Sequence, residues 1–267
     1  MKKIVVLDKK IGETPLSSIQ IWKSSHPDYT EIPASYAGRL DPMASGKLLV
    51  LLGDECRQQR KYTKLDKEYE IEVLLDIGSD TGDVLGMPIY VGQEVCIGAK
   101  ILAAVLRREQ GAFMRAYPIF SSKTVDGKPL FLHALLGSLS SVEIPEHIEH
   151  IYSIRCMGSQ VLSDEKLKEK ITELLDRVPR TNEPSKRLGE DFRVDAIQAE
   201  WQSLFKNTKG RNFTVFRLCV TSASGTYMRS LAGRIGESLG TKALALSIRR
   251  TRIGTYAPSW RLWLRSY

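Results

Sequence analysis

The stretch Tyr36-Ala37-Gly38-Arg39-Leu40-Asp41-Pro42-Met43-Ala44-Ser45-Gly46 constrains this chain more than any other. It sets one carboxylate between two glycines, and an apolar run, Leu48-Leu49-Val50-Leu51-Leu52, follows at once. Proline after Asp41 disfavours helical backbone at Asp41 itself. Gly38 and Gly46 permit backbone angles and close approaches that other residues resist. Asp41 is therefore expected on a shaped loop at the edge of the core, and loops held by a rigid scaffold often carry catalytic groups. Asp-Pro also starts ordinary turns whose carboxylate bonds its own backbone. Taken alone, the loop favours that simpler reading.

The 267 residues suffice for one large domain or two small ones. Hydrophobic residues make up 42% of them, enough to bury a core and to exclude wholesale disorder. Lysine and arginine number 39 against 31 acids, a net +8. That excess suits a polyanionic partner, although many basic proteins have none. Cys56, Cys96, Cys156 and Cys219 stand far apart with no CxxC, which excludes a zinc ribbon and a dithiol centre. Scattered cysteines fit a reducing compartment. No apolar run reaches the length of a membrane span. The N-terminal run Met1 to Asp8 is too short for a signal peptide and reads as a first strand, so the expected location is cytoplasmic.

Thr14-Pro15 marks a helix start, with Leu16, Ile19 and Trp22 near one face. Residues 57–67 hold five cations. Tyr69, Ile71, Val73 and Leu75 alternate with Glu70 and Glu72 as a strand does. A turn-rich loop over 78–83 precedes a return strand from Met87 to Val91. The spacing of Ile101, Leu102, Val105 and Leu106 predicts a helix over 98–109. Asp126-Gly127 signals a hairpin turn. Ser163 caps a helix running to about Arg177. Residues 178–193 read as an exposed linker or mobile loop. A strand over 213–220 leads through Ser222–Thr226 into a helix with a Tyr227, Leu231, Ile235, Leu239 stripe. Irregular alternation with hairpin signals gives an α+β class with a mainly antiparallel sheet.

Ala44-Ser45-Gly46-Lys47 fails as a phosphate loop, because Leu48 stands where a hydroxyl is required. Glu146-His147-Ile148-Glu149-His150 lacks a third ligand and reads as a solvated face, so no metal is expected. Arg229 falls in the first turn of its helix, where a cation opposes the dipole. It is a solvated arginine or the partner of a buried carboxylate, with equal weight on each. Tyr69 reads as a core aromatic or as a plate for a nucleobase.

Together these segments resemble the TruB family of tRNA pseudouridine-55 synthases. The resemblance rests on Asp8-Lys9-Lys10-Ile11-Gly12-Glu13-Thr14, Gly38 to Gly46, Lys67-Glu68-Tyr69 through Asp83 and Gly86, and Ser224 to Ala232. It continues through Leu239-Gly240 and Ile248 to Gly254, with a weaker match over Ser122 to Phe131. It implies one mixed, mainly antiparallel sheet flanked by helices, with an RNA-binding cleft across its middle. It implies isomerisation of uridine without cofactor or metal. Asp41 would be the catalytic carboxylate, Tyr69 would stack on the base and Arg229 would pair with Asp41. Ile248 would line the pocket, with Tyr36, Gly38, Arg39, Lys67 and Arg250 also at the substrate. Cations of 57–67 with Arg249, Arg250 and Arg252 would hold RNA whose target base has flipped out.

Two departures stand out. Tyr36 takes the place of the family's usual histidine, and only Tyr256 to Tyr267 follow where many members continue into a small RNA-binding domain. The expected organisation is a catalytic domain over 1–255 and a short tail over 256–267, with Trp260 and Trp263 packing the tail down. The expected partner is RNA, foremost tRNA, bound by a monomer with no membrane and no obligate protein partner. The competing readings are a synthase for another RNA or one needing partners, and a non-catalytic RNA chaperone of the same fold.

Overall fold

The computed structural model describes residues 2–93, 97–178 and 193–267. Its frame is a nine-stranded sheet ordered β1 (Ile4–Lys9), β3 (Ala44–Leu52), β12 (Ala243–Ala257), β4 (Asp66–Leu75), β11 (Asn212–Ser222), β10 (Glu146–Ser163) and β7 (Gly111–Ala116). Two more strands join it: β2 (Ala34–Ala37) beside β3, and β13 (Leu262–Ser266) beside β12. Every pairing in it is antiparallel except β12 with β3. Small hairpins join β5 (Ile77–Ser79) to β6 (Pro88–Tyr90) and β8 (Thr124–Val125) to β9 (Lys128–Pro129). The second turns on Asp126 and Gly127, both at positive φ, as an Asp-Gly hairpin requires.

Helices cover both faces of the sheet. On one face α3 (Ala99–Arg108) and α7 (Met228–Ser238) pack on Tyr69, Ile71, Val73, Leu75, Phe216 and Leu218. On the other, α5 (Asp164–Asp176) and α6 (Val194–Asn207) bury Leu74, Phe213, Val215, Leu244 and Leu246. Ser163 caps α5, its hydroxyl accepting the Lys166 N–H. At the far edge, α1 (Pro15–Ser24) covers Leu48, Val50 and Leu52, while Leu49 and Leu51 meet Ile253, Cys56 and Tyr62. The apolar run of β3 shows no alternation because both of its faces are buried. A capping box closes the start of α1: Thr14 and Ser17 each bond the other's backbone N–H.

Several expectations need correction. Leu16 and Ile101 face outward on their helices. Residues 146–150 belong to strand β10, where His147 and Glu149 turn inward and are not a solvated face. Beyond Tyr256 the chain stays in the sheet as β13; Trp263 packs on Tyr256, but Trp260 sits at the turn with 71% of its surface exposed. The loop expected over 178–193 lies, apart from its two end residues, outside the described residues, as does Cys96.

β3 meets β12 through Gly46, at φ 99°. A Cβ built there would stand 2.3 Å from the Arg250 carbonyl oxygen and 2.9 Å from its nitrogen. Backbone cannot yield as a flexible side chain does, so Gly46→Ala is expected to destabilise the fold by about 3 kcal/mol. Urea unfolding measures this; a loss below about 1 kcal/mol would contradict the close approach.

Candidate active site

Arg229 is the second residue of α7, whose N-cap, Tyr227, makes no side-chain cap. It is only 4% exposed. Its Nε donates to Asp41 Oδ2 at 2.7 Å and lies 3.5 Å from Asp83 Oδ2. Its Nη1 donates to the Thr81 carbonyl and its Nη2 to the Phe120 carbonyl at 3.1 Å. Burial opposes the charge, yet the two carboxylates outweigh it and hold the guanidinium above the ordinary arginine range. Asp83 answers Arg229 from a buried position and accepts from Thr81 Oγ1 and the Leu85 N–H. Burial still pushes its carboxyl up to about 6. Of the two readings of Arg229, the paired one holds.

Asp41 sits on the turn between β2 and β3, its side chain 42% exposed. Buried cations hold the carbonyls around it. Arg250 donates through Nε to Lys47 O at 2.7 Å, and through Nη1 and Nη2 to Arg39 O and Gly38 O at 3.2 Å each. Lys9 Nζ reaches Ala44 O at 2.6 Å, Lys10 O at 3.0 Å and Pro42 O at 3.4 Å. Lys67 bonds the Thr63 and Leu65 carbonyls. Gly38, at φ 84°, lies against Arg250 and Lys67. Neutral carbonyls solvate these buried charges only in part. Desolvation therefore lowers Lys9 to about 8 and, with repulsion from Arg250, Lys67 to about 7.

Two cavities meet at Asp41 and Arg229. One, of about 270 Å³, is walled by Tyr69, Ile248, Lys67, Arg250 and the 224–228 segment. The other, of about 320 Å³, is walled by Tyr36, Leu16, Phe120 and Phe131. Leu16 is exposed because it forms this wall. A half-open carboxylate braced by a buried guanidinium can act as a nucleophile or base on a ring placed in either chamber.

Asp41, Tyr69, Arg229, Gly38, Arg39, Lys67, Ile248 and Arg250 all line the 270 Å³ cavity, whereas Tyr36 faces the neighbouring one. The phosphate-binding role expected of Arg250 is corrected: it is buried, and Nε, Nη1 and Nη2 each donate to a backbone carbonyl. Lys67 is likewise buried, apart from the exposed Arg57, Arg60, Lys61 and Lys64. Alternation along β12 turns Arg249 away from the cleft toward Asp8, and Arg252 pairs with Glu68 on that opposite face. Among the described residues no group of three His, Cys, Asp or Glu could hold a metal ion. Sequence reasoning missed Lys9 and Asp83 as parts of the site. Lys9 shares the inward parity of Val5 and Leu7, and Gly82 signals a close approach, its Cβ position lying 3.0 Å from the Arg229 carbonyl.

Residues 30–171 match the sequence model for the TruB family pseudouridylate synthase, N-terminal domain. A tRNA pseudouridine synthase B of Azoarcus sp. (strain BH72) is 26% identical over 95% of this chain and 65% of its own length. One from Cupriavidus metallidurans is 28% identical over 94% of this chain and 62% of its own. The chain thus spans slightly under two thirds of the length of these curated relatives. Among solved structures, a Cbf5-Nop10-Gar1 complex aligns with a TM-score of 0.53 at 19% identity, covering 94% of this chain and 48% of that one. An archaeal box H/ACA sRNP Nop10-Cbf5 complex aligns at 0.50 and 18%, covering 94% and 47%. These structures share the fold.

The lowered lysines make stability depend on pH. Above about pH 7 the unfolded chain keeps protons on Lys67 and Lys9 that the folded chain sheds, so stability rises with pH. Half-buried Tyr152 and Tyr227, pushed up to about 12 chiefly by desolvation, reverse the slope once free tyrosine ionises at about pH 10. The urea midpoint is expected to climb between about pH 7 and 9.5, with Lys67→Met flattening the first part. A midpoint that falls across this window would contradict buried, neutral-prone lysines.

Proposed function

The chain belongs to the TruB family of pseudouridylate synthases, and we propose that it converts uridine to pseudouridine in RNA, with Asp41 as the catalytic carboxylate. The carrying observation is the half-exposed Asp41 held 2.7 Å from buried Arg229 at the mouth of the cavity that Tyr69 walls. The curated relatives are named tRNA pseudouridine synthase B, which supports tRNA as the substrate; the TΨC-loop uridine is the target that the family resemblance of the sequence implies.

The reaction breaks the C1′–N1 bond, turns the uracil and joins C1′ to C5; the C5 proton is lost and N1 gains one. A carboxylate serves it by adding to the base or sugar, or by taking the C2′ proton to give a glycal. Both routes use the carboxylate form of Asp41, which Arg229 Nε contacts at 2.7 Å. Tyr69 supplies the face on which the flipped uracil stacks, next to Ile248. Unstacking the base costs about a few kcal/mol. Arg39 and the exposed Arg57, Arg60, Lys61 and Lys64 offset that cost at the phosphates, with a dependence on salt.

The pairing of Asp41 with Arg229 and the cavity wall at Tyr69 are complete within one chain, which supports action as a monomer, and with β13 part of the sheet the catalytic unit extends beyond residue 255. None of the described helices is long and apolar enough to cross a membrane. A cytoplasmic location with no obligate protein partner completes the reading.

An unmodified tRNA transcript incubated with the protein, then mapped by chemistry specific for pseudouridine, tests it. Product is expected at the TΨC-loop uridine, with none from Asp41→Asn. Tight binding without product at any salt would overturn the proposal.

A further inference from the structure

Glu149 lies on β10 and does not line the cavity at Asp41. Yet it is only 3% exposed, and both of its oxygens are committed. Oε1 accepts the Tyr227 N–H at 3.0 Å, and Oε2 accepts from Arg234 Nη2 at 3.2 Å. Arg234 lies on α7 and also donates through Nε to Glu109 at 2.8 Å; Arg115 stands 3.7 Å from Glu109. Two residues earlier on β10, His147 Nε2 lies 3.0 Å from the Gly225 carbonyl, with the Tyr117 ring stacked on its imidazole at 4.0 Å. One strand thus holds the 224–228 segment by a carbonyl at one point and an N–H at the next.

This segment is a wall of the nucleobase-sized cavity, and it is the start of the helix that carries Arg229. Tyr227 provides no cap of its own. Glu149 does from a neighbouring strand what the glutamate of a capping box does from within a helix. Its negative charge at the helix N-terminus also offsets a cation in the first turn, where the dipole disfavours one. Arg229 has a fixed fork of donors aimed at Asp41, Thr81 and Phe120. A small shift of the first turn would break that alignment.

We propose that Glu149 is a positioning residue for the reaction, holding the N-terminus of α7 so that Arg229 meets Asp41 and the 224–228 wall keeps its shape. The proposal rests on the synthase reading above. His147 and Arg234 support the same hold, from Gly225 and from the body of the helix.

The test separates position from bulk stability. Glu149→Gln keeps an oxygen for the Tyr227 N–H, and its kcat on a tRNA transcript is expected to stay within about threefold of the parent. Glu149→Met keeps the volume but loses the acceptor; its kcat is expected to fall about tenfold to a hundredfold with KM unchanged. A Glu149→Met protein with the parent's kcat, or a Glu149→Gln protein as slow as Glu149→Met, overturns the proposal. Amide hydrogen exchange at Tyr227 provides a readout without turnover. Protection is expected in the parent and in Glu149→Gln, and rapid exchange in either overturns the proposal even where Glu149→Met fails to fold. Should the parent make no pseudouridine, the synthase reading fails, while exchange at Tyr227 still tests the hold.

Discussion

The ion pair between Arg229 and Asp41 is the contact on which the site depends. Moving a guanidinium out of water costs several kcal/mol unless every donor finds a partner. Arg229 meets that demand from four directions: Asp41, Asp83, and the carbonyls of Thr81 and Phe120. These partners come from the loop before β3, the loop after β5 and the segment after β7. The pair therefore requires the whole central part of the fold to be assembled. It also leaves Asp41 half open on its other side, where a substrate can reach it.

The loop bearing Asp41 is held by its carbonyls, and the holding groups are cations. Arg250 and Lys9 grip it from opposite strands, and Lys67 lies against Gly38. Because their donors end on neutral oxygens, the buried lysines lose part of their proton affinity. Rigidity around Asp41 comes with a surrounding positive potential suited to a carboxylate and to a polyanionic ligand.

Local features were legible in the sequence. The alternation of Tyr69, Ile71, Val73 and Leu75, the Ser163 cap and the Asp126-Gly127 turn each depend on a few neighbouring residues, and each folds as read. Asp41 and Arg229 were visible as anomalies, a carboxylate between glycines and a cation at a helix start. Their pairing spans the chain, and the family resemblance suggested it where spacing could not. Lys9, Asp83 and Glu149 were hidden because their partners lie far away in sequence. Arg249, Arg250 and Arg252 were misread as one basic patch: alternation along β12 turns Arg249 away from Arg250, and an irregularity between Arg250 and Arg252 puts Arg252 on the face opposite Arg250, which the sequence does not show. Residues 146–150 were misread as a solvated face because the partners of His147 and Glu149, Gly225 and Tyr227, lie far away in sequence.

The most direct measurement is the single-turnover rate of Arg229→Lys on an unmodified tRNA transcript, with binding measured alongside. Lysine keeps the charge but cannot serve Asp41, Thr81 and Phe120 from one planar fork. The rate is expected to fall about a hundredfold or more at unchanged affinity. A rate within a few-fold of the parent would show that a point charge suffices, and would contradict a site organised around the geometry of Arg229.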